Sequence, residues 1–239
     1  MKWDQQIKNC VRKANSMIAW VTRNLILREL GVVRNVYKTI IRPHLEYCAQ
    51  LWCPPACHGY WSNIIELENV QRRFTRLIDG IGSLPYSKRL EALQITTLAE
   101  RRVRGDLIEV YKIINELVEY GQDIFKLTRS GEKIVSKLSY NIDSDIRRIS
   151  KRFIAERVVK YWNLLPSFVR NSSSVTDFKI NLEKYKKSNV LVDTGNFWEV
   201  SDQVLARIEG ENYIEKKEEH IKYLLENPNV AKRKGIDIF

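Results

Sequence analysis

Three cysteines and a histidine lie close together in the sequence, at Cys48, Cys53, Cys57 and His58. They follow the spacing C-x4-C-x3-C-H. Structural zinc is held by four ligands of these types, usually as two pairs that each enclose a few residues. The irregular spacing and the adjacency of Cys57 and His58 do not match that arrangement. We therefore treat the four residues as weak metal candidates, and expect no metal site and no cofactor.

The rest of the sequence offers little for catalytic chemistry. Nucleophilic catalysis requires a Cys or Ser beside a base, and no nucleophile signature accompanies the three histidines. Glycine-rich phosphate-binding motifs are absent, as is any Asp-Asp pair of the kind that could contribute to a two-metal centre. Residues 1–60 contain only three acidic residues. We predict that the chain is not an enzyme.

Charge gives the strongest indication of a partner. The net charge is +11, from 40 Lys and Arg against 29 Asp and Glu. Residues 1–187 hold 33 and 19 of these, a charge of +14, whereas residues 188–239 hold 7 and 10, a charge of −3. A strongly basic chain favours an acidic partner, most often nucleic acid. The break near residue 188 suggests two pieces with different roles.

Six arginines could contact phosphates. Residues 72–76 lie in a predicted helix, where cations three or four positions apart are surface neighbours. Residues 101–104 lie in the first turns of another predicted helix, where cations oppose the helix dipole and are therefore better explained by an anionic partner or acidic neighbours. Aromatic side chains are available for stacking. The candidates are Arg72, Arg73, Arg76, Arg101, Arg102 and Arg104.

Hydrophobic residues recur every three or four positions, which predicts a mostly α-helical fold. Residues 121–148 lack this period and predict a loop with a short hairpin. Thr97 and Glu100 form a capping box that opens a long helix. The predicted helices cover about 3–30, 33–52 (with a kink or boundary at Pro43), 62–81, 87–93, 97–118, 153–165, 175–187, 197–208 and 211–226.

The sequence indicates an intracellular location, nuclear or cytoplasmic. It contains no run of about 18 apolar residues, so we expect no transmembrane helix and no membrane partner. Polar and charged residues near Met1 occupy positions where a signal peptide has its apolar segment. Four cysteines are too few for a secreted disulfide scaffold, which favours a reducing compartment.

The order of several motifs resembles the region that follows the polymerase palm in reverse transcriptases of non-LTR retrotransposons, of the jockey and chicken-repeat-1 kind. The resemblance covers about residues 3–187. It rests on the segments VYKTIIRPHLEYCAQLW, LENVQRRFTRLI, YSKRLEALQITTLAERRVRGDLIEVYKIIN, RVVKYWNLLPSFV and SSVTDFKINLEKY, in this order.

This resemblance implies a helical thumb-like region over 1–120 and the C-terminal region of such an enzyme over 121–187. Residues 188–239 would then be an unrecognised acidic helical tail. The Tyr-x-Asp-Asp motif of the family's active site does not occur here, so no catalytic residue carries over. A thumb grips the template–primer duplex, which makes Lys8, Arg12 and Lys13 candidate backbone contacts. Of the four metal candidates, only Cys48 belongs to the recurrent pattern.

These observations together predict a non-catalytic fragment of a retrotransposon RNA-directed DNA polymerase. Its basic helices would bind the backbone of RNA or of an RNA–DNA template–primer. The alternative is a helical protein-interaction module, possibly a fusion with host sequence, that binds a protein partner through its tail.

Overall fold

The structure is a computed structural model that describes residues 3–26, 28–53, 60–121, 123–128, 133–136, 154–188 and 197–233. The chain is mostly α-helical, as the hydrophobic period predicts. The predictions for Cys57 and His58 lie outside the described residues.

The described part of the first half of the chain is almost entirely helical. The helix predicted over 33–52 is interrupted by a π-helical turn at Tyr37–Ile41 and again at Cys48, whose φ of 52° is left-handed and ends the helical path. Pro43 lies in the first turn of the segment that follows the π-helical turn, where proline costs no hydrogen bond. The helices are α1 (Trp3–Asn24), α2 (Leu30–Val36), α3 (Arg42–Glu46), α4 (Ala49–Trp52), α5 (Trp61–Thr75), α6 (Tyr86–Leu93) and α7 (Leu98–Ile114).

The second half begins with the short hairpin predicted within residues 121–148. Its antiparallel strands pair Phe125 with Ser136 and Leu127 with Ile134. Helices of 4 to 16 residues follow among the described residues, and the last three belong to the tail. The elements are β1 (Phe125–Leu127), β2 (Ile134–Ser136), α8 (Ile154–Arg157), α9 (Val159–Leu164), α10 (Ser167–Arg170), α11 (Val175–Ser188), α12 (Glu199–Glu209), α13 (Glu211–Glu226) and α14 (Pro228–Arg233).

Two large hydrophobic cores and one small cluster lie within the described ranges, and helices α5 and α7 contribute to both large cores. The first core buries the apolar stripe of α1, including Ile7 and Val21, against α2 to α5. The second core buries α7 against the hairpin and helices α8 to α12. Within the second core, the rings of Tyr111 and Phe178 stack with centroids 4.5 Å apart. The two shared helices therefore fix the position of one core relative to the other.

The first tail helix, α12, is part of the second core. Phe197, Trp198 and Val204 are buried there together with residues of α7 and α11. Tyr185 and Trp198 meet edge to face with ring centroids 5.2 Å apart. The division of the chain into regions 1–120, 121–187 and 188–239 stays a prediction. The second core contains residues from all three of these regions.

A network of buried polar side chains joins α5, α6, α7 and the π-helical turn. The Glu68 carboxylate accepts hydrogen bonds from the Tyr86 hydroxyl at 2.6 Å and from the backbone N–H of Leu98 at 2.9 Å. Gln71 donates to the Tyr86 hydroxyl at 2.7 Å, and its carbonyl oxygen accepts from Tyr37. The dipole of α7 also stabilises a negative charge at the first turn of that helix. Burial nevertheless raises the pKa of Glu68 to about 7.

A buried ion pair connects α7 to α8. Arg157 donates two hydrogen bonds to the Asp106 carboxylate, at 2.6 and 2.8 Å, and both side chains are buried. Burial raises the pKa of Asp106, while the charge of Arg157 acts in the opposite direction. Paired guanidinium and carboxylate groups of this geometry fix the register of the helices that carry them.

Removing Trp198 tests whether the tail stabilises the fold. Trp198→Ala should lower the free energy of unfolding by about 3 kcal/mol or more, because it empties a buried site in the second core. Trp20→Ala is the matched control, since Trp20 is 49% exposed, and should cost less than about 1 kcal/mol. Urea unfolding measures both values. Equal losses for the two variants would contradict the packing of the tail described above.

Glu68 should make stability depend on pH. Because folding raises its pKa from 4.5 to about 7, the folded chain holds the proton more tightly than the unfolded chain. Its stabilising contribution is therefore full below pH 4.5 and is lost as pH rises through 7. Between pH 5 and pH 7 the loss should be about 2 kcal/mol. Glu68→Gln should remove this part of the pH dependence in urea unfolding, and an unchanged pH profile would refute it.

Candidate nucleic-acid interface

Helices α1 and α5 run parallel, and their exposed edges lie next to each other. Asn63 of α5 donates to Asp4 of α1 at 2.9 Å, and ten residues later Arg73 donates to Asn15 at 3.0 Å. The contacts therefore advance along both helices in the same direction. The side chains that emerge on either side of this seam form one continuous strip.

The strip includes three of the predicted phosphate contacts. Lys8 and Arg12 lie between Asp4 and Asn15 at spacings of four, four and three residues, which places them on one face of α1. Arg73 adds a third cation from α5, and all three are exposed. We call Lys8, Arg12 and Arg73 the basic strip. Lys13 is also exposed but lies one residue past this face.

Arg72 and Arg76 face away from the strip, into a cavity of about 550 Å³. Its walls come from the end of α5, from residues 83–91 and from the two tail helices α12 and α13. Neither arginine side chain forms an ion pair within the described part of the chain. The predicted trio of Arg72, Arg73 and Arg76 therefore divides between two surfaces.

The predicted cluster at the start of α7 is largely committed to contacts inside the protein. Arg101 pairs with Glu46 at 2.6 Å, and Arg104 pairs with Glu183 at 2.8 Å. Arg102 is 5% exposed and donates to the backbone oxygen of Leu45 at 3.2 Å. Burial raises the pKa of Glu68 and of Asp106, and the charge of Arg102 offsets part of that rise. The sequence offered two explanations for cations at the start of this helix, an anionic partner or acidic neighbours. The contacts inside the protein correspond to the second explanation for Arg101 and Arg104.

A row of cations that sequence reasoning missed lies beside this cluster. Arg34, Lys38 and Arg42 are spaced four residues apart. Residues at this spacing share one face of a helix, so the sequence could have predicted the row. Burial and the nearby guanidinium groups lower the pKa of Lys38. With Arg101, Lys38 and Arg42 line a cavity of about 280 Å³. Glu46 pairs with both arginines of this wall, at 2.6 and 3.5 Å, so its single carboxylate offsets part of their positive charge.

The described metal candidates Cys48 and Cys53 lie in different surroundings. Cys48 is exposed at its left-handed turn, whereas Cys53 is buried, and burial raises the pKa of the Cys53 thiol. Among the described residues, no group of three or more His, Cys, Asp or Glu side chains is placed to hold a metal ion.

Two further observations bear on the class of protein. None of the helices in the described ranges is long and apolar enough to cross a membrane. Comparison with protein-family models, with curated proteins and with solved structures finds no match to this chain.

Substitutions of Arg102 and Arg104 on α7 should differ in their effect on stability, because Arg102 is buried and Arg104 is partly exposed. Arg102→Ala should lower the free energy of unfolding by about 2 kcal/mol or more, because it removes a buried cation near Glu68 and Asp106 and leaves the Leu45 carbonyl without that donor. Arg104→Ala should cost less than about 1 kcal/mol, since its pair with Glu183 is partly exposed. Urea unfolding of both variants measures the difference. A smaller cost for Arg102→Ala than for Arg104→Ala would overturn this assignment.

Proposed function

We propose that the chain binds the sugar–phosphate backbone of nucleic acid through the basic strip on α1 and α5. The observation that carries the proposal is the parallel seam of these helices, which aligns Lys8, Arg12 and Arg73 along one exposed edge. Cations in a row match the regular spacing of phosphates and release the counterions condensed on them. Contacts of this kind give affinity with little sequence preference.

The ligand class that we propose is RNA or an RNA–DNA template–primer. The support is the resemblance of residues 3–187 to the post-palm region of non-LTR reverse transcriptases, in which a helical thumb holds such a duplex. We propose that this chain retains a grip of that kind without catalytic activity, because the Tyr-x-Asp-Asp motif does not occur in it. An intracellular location, nuclear or cytoplasmic, is part of the same proposal.

The tail favours a second candidate function, binding to a protein partner. Ile214, Tyr223 and Leu225 on α13 are about half exposed. Apolar side chains of this kind on one surface helix can dock into the groove of another protein. In this alternative the basic charge is incidental, and the tail is the functional part.

A charge-removal series in the full chain tests the first proposal. The variant with Lys8, Arg12 and Arg73 all changed to Ala should bind an RNA–DNA hybrid about tenfold more weakly at moderate salt. Its plot of log affinity against log salt should also be shallower by about 2 to 3. Fluorescence anisotropy across a salt series measures both quantities. The full chain is required because α12 is part of the second core.

The matched control changes Lys179, Lys184 and Lys187 to Ala. These residues are exposed on α11, so the control removes the same charge from a different surface. It should bind nearly as the unmodified chain does. Equal losses in the two variants would show that only net charge matters, and no binding at low salt by the folded chain would favour a protein partner.

A further inference from the structure

The cavity at the end of α5 carries a large surplus of positive charge. Six Lys and Arg side chains line it, against the two carboxylates of Glu91 and Glu209. The volume of about 550 Å³ is in the range of sites that hold a small molecule or a nucleotide. The lining cations are Arg72, Arg76, Lys88, Arg89, Lys216 and Lys217.

Arg89 places a fixed positive charge in the floor of the cavity. Its side chain is 1% exposed, and its guanidinium donates to the backbone oxygen of Arg72 at 2.8 Å and to the Thr75 hydroxyl at 2.7 Å. These acceptors are neutral, so they orient the group without cancelling its charge. Burial and the neighbouring Arg76 lower the pKa of Arg89. The fold thus keeps the positive charges of Arg89 and Arg76 close together at the cavity.

The tail supplies the opposite wall. Gly210 has a φ of +74°, which glycine adopts without strain, and there the chain turns from α12 into α13. Asp202 of α12 then holds α13 in place by accepting from the Tyr213 hydroxyl at 2.6 Å and from Lys217 at 2.8 Å. Lys216 is brought to the cavity rim by this arrangement and has no ion pair within the described ranges.

The Glu209 carboxylate shows that the cavity wall has donors for an oxyanion. This carboxylate accepts from the backbone N–H of Ser87 at 2.6 Å and from the Ser87 hydroxyl at 3.0 Å, at the first turn of α6. A helix N-terminus favours negative charge at this position. Because Lys217 is paired with Asp202, the lining keeps three positive charges in excess, and Arg72, Arg76 and Lys216 have no acidic partner in the described part of the chain.

We propose that this cavity binds a phosphate monoester, either the terminal phosphate of a nucleic-acid strand or a free phosphate compound. For a strand end, the inference rests on the proposed binding of nucleic acid. A terminal phosphate carries nearly two negative charges, twice the charge of an internal diester, which suits a cavity with several unpaired cations. Arg76 and Lys216 reach it from opposite walls, and Arg89 strengthens the positive field without leaving the protein interior.

The test compares single strands of about 12 nucleotides with and without a 5′-phosphate, binding to the full chain by fluorescence anisotropy. A 5′-hydroxyl strand that is longer by two nucleotides has the same total charge as the phosphorylated strand and controls for charge alone. We expect the phosphorylated strand to bind about tenfold more tightly than this control. Changing both Arg76 and Lys216 to Ala should remove the preference. Changing Lys179 and Lys184 to Ala, an equal charge loss on α11, should preserve it.

A second arm uses inorganic pyrophosphate and thermal unfolding, and it identifies the source of the phosphate. Stabilisation by pyrophosphate that is lost in the Arg76 and Lys216 variant, without a strand-end preference, would support a free phosphate compound. If neither strand binds and pyrophosphate still stabilises the chain, the proposed function fails and the cavity assignment stands. If all strands bind equally and pyrophosphate has no effect, the cavity assignment is overturned and the proposed function stands.

Changing Glu209 to Gln tests the same site in the opposite direction. The change removes a negative charge from the cavity while keeping an oxygen that can accept from Ser87, so pyrophosphate should bind about threefold or more tightly. Glu215→Gln removes the same charge from an exposed position on α13 outside the cavity and should have a smaller effect. Weaker binding by Glu209→Gln would contradict the proposal.

Discussion

The arrangement of the central helices depends on the hydrogen bonds that the buried Glu68 carboxylate accepts. This carboxylate lies on α5, is bound by a side chain of α6, and receives the first free N–H group of α7. A buried carboxylate costs free energy unless every lone pair finds a donor, so the three helices can satisfy it only in one relative placement. Since α5 and α7 belong to both cores, this placement also sets the position of one core relative to the other.

The basic residues divide into those that hold the fold together and those that remain for a partner. Arg89, Arg102 and Arg157 are buried, and each donates to backbone oxygens or to a buried carboxylate. Lys8, Arg12 and Arg73 lie along an exposed edge. Net charge alone therefore overstates the basic surface, because part of the charge compensates acids inside the protein.

The tail contributes more than its charge suggests. Its acidic residues serve as internal partners, with Glu209 at the start of α6 and Asp202 beneath α13. Its cation Lys216 lines the basic cavity without an acidic partner in the described residues, while Lys217 is paired with Asp202. An acidic segment can thus still supply an unpaired cation to a basic site, since the position of each side chain matters more than the sum.

Much of the local structure could be predicted from the sequence, because helix period and caps depend on neighbouring residues. The buried stripe of α1, the cap at Thr97 and the short hairpin are of this kind. The interface could be predicted only in part. The sequence shows that Arg72 and Arg73 are adjacent in a helix, but packing decides that one faces a cavity and the other a seam. Burial of Arg102 and the placement of Arg76 and Lys216 around one cavity likewise depend on contacts between residues far apart in the chain, which no local pattern records.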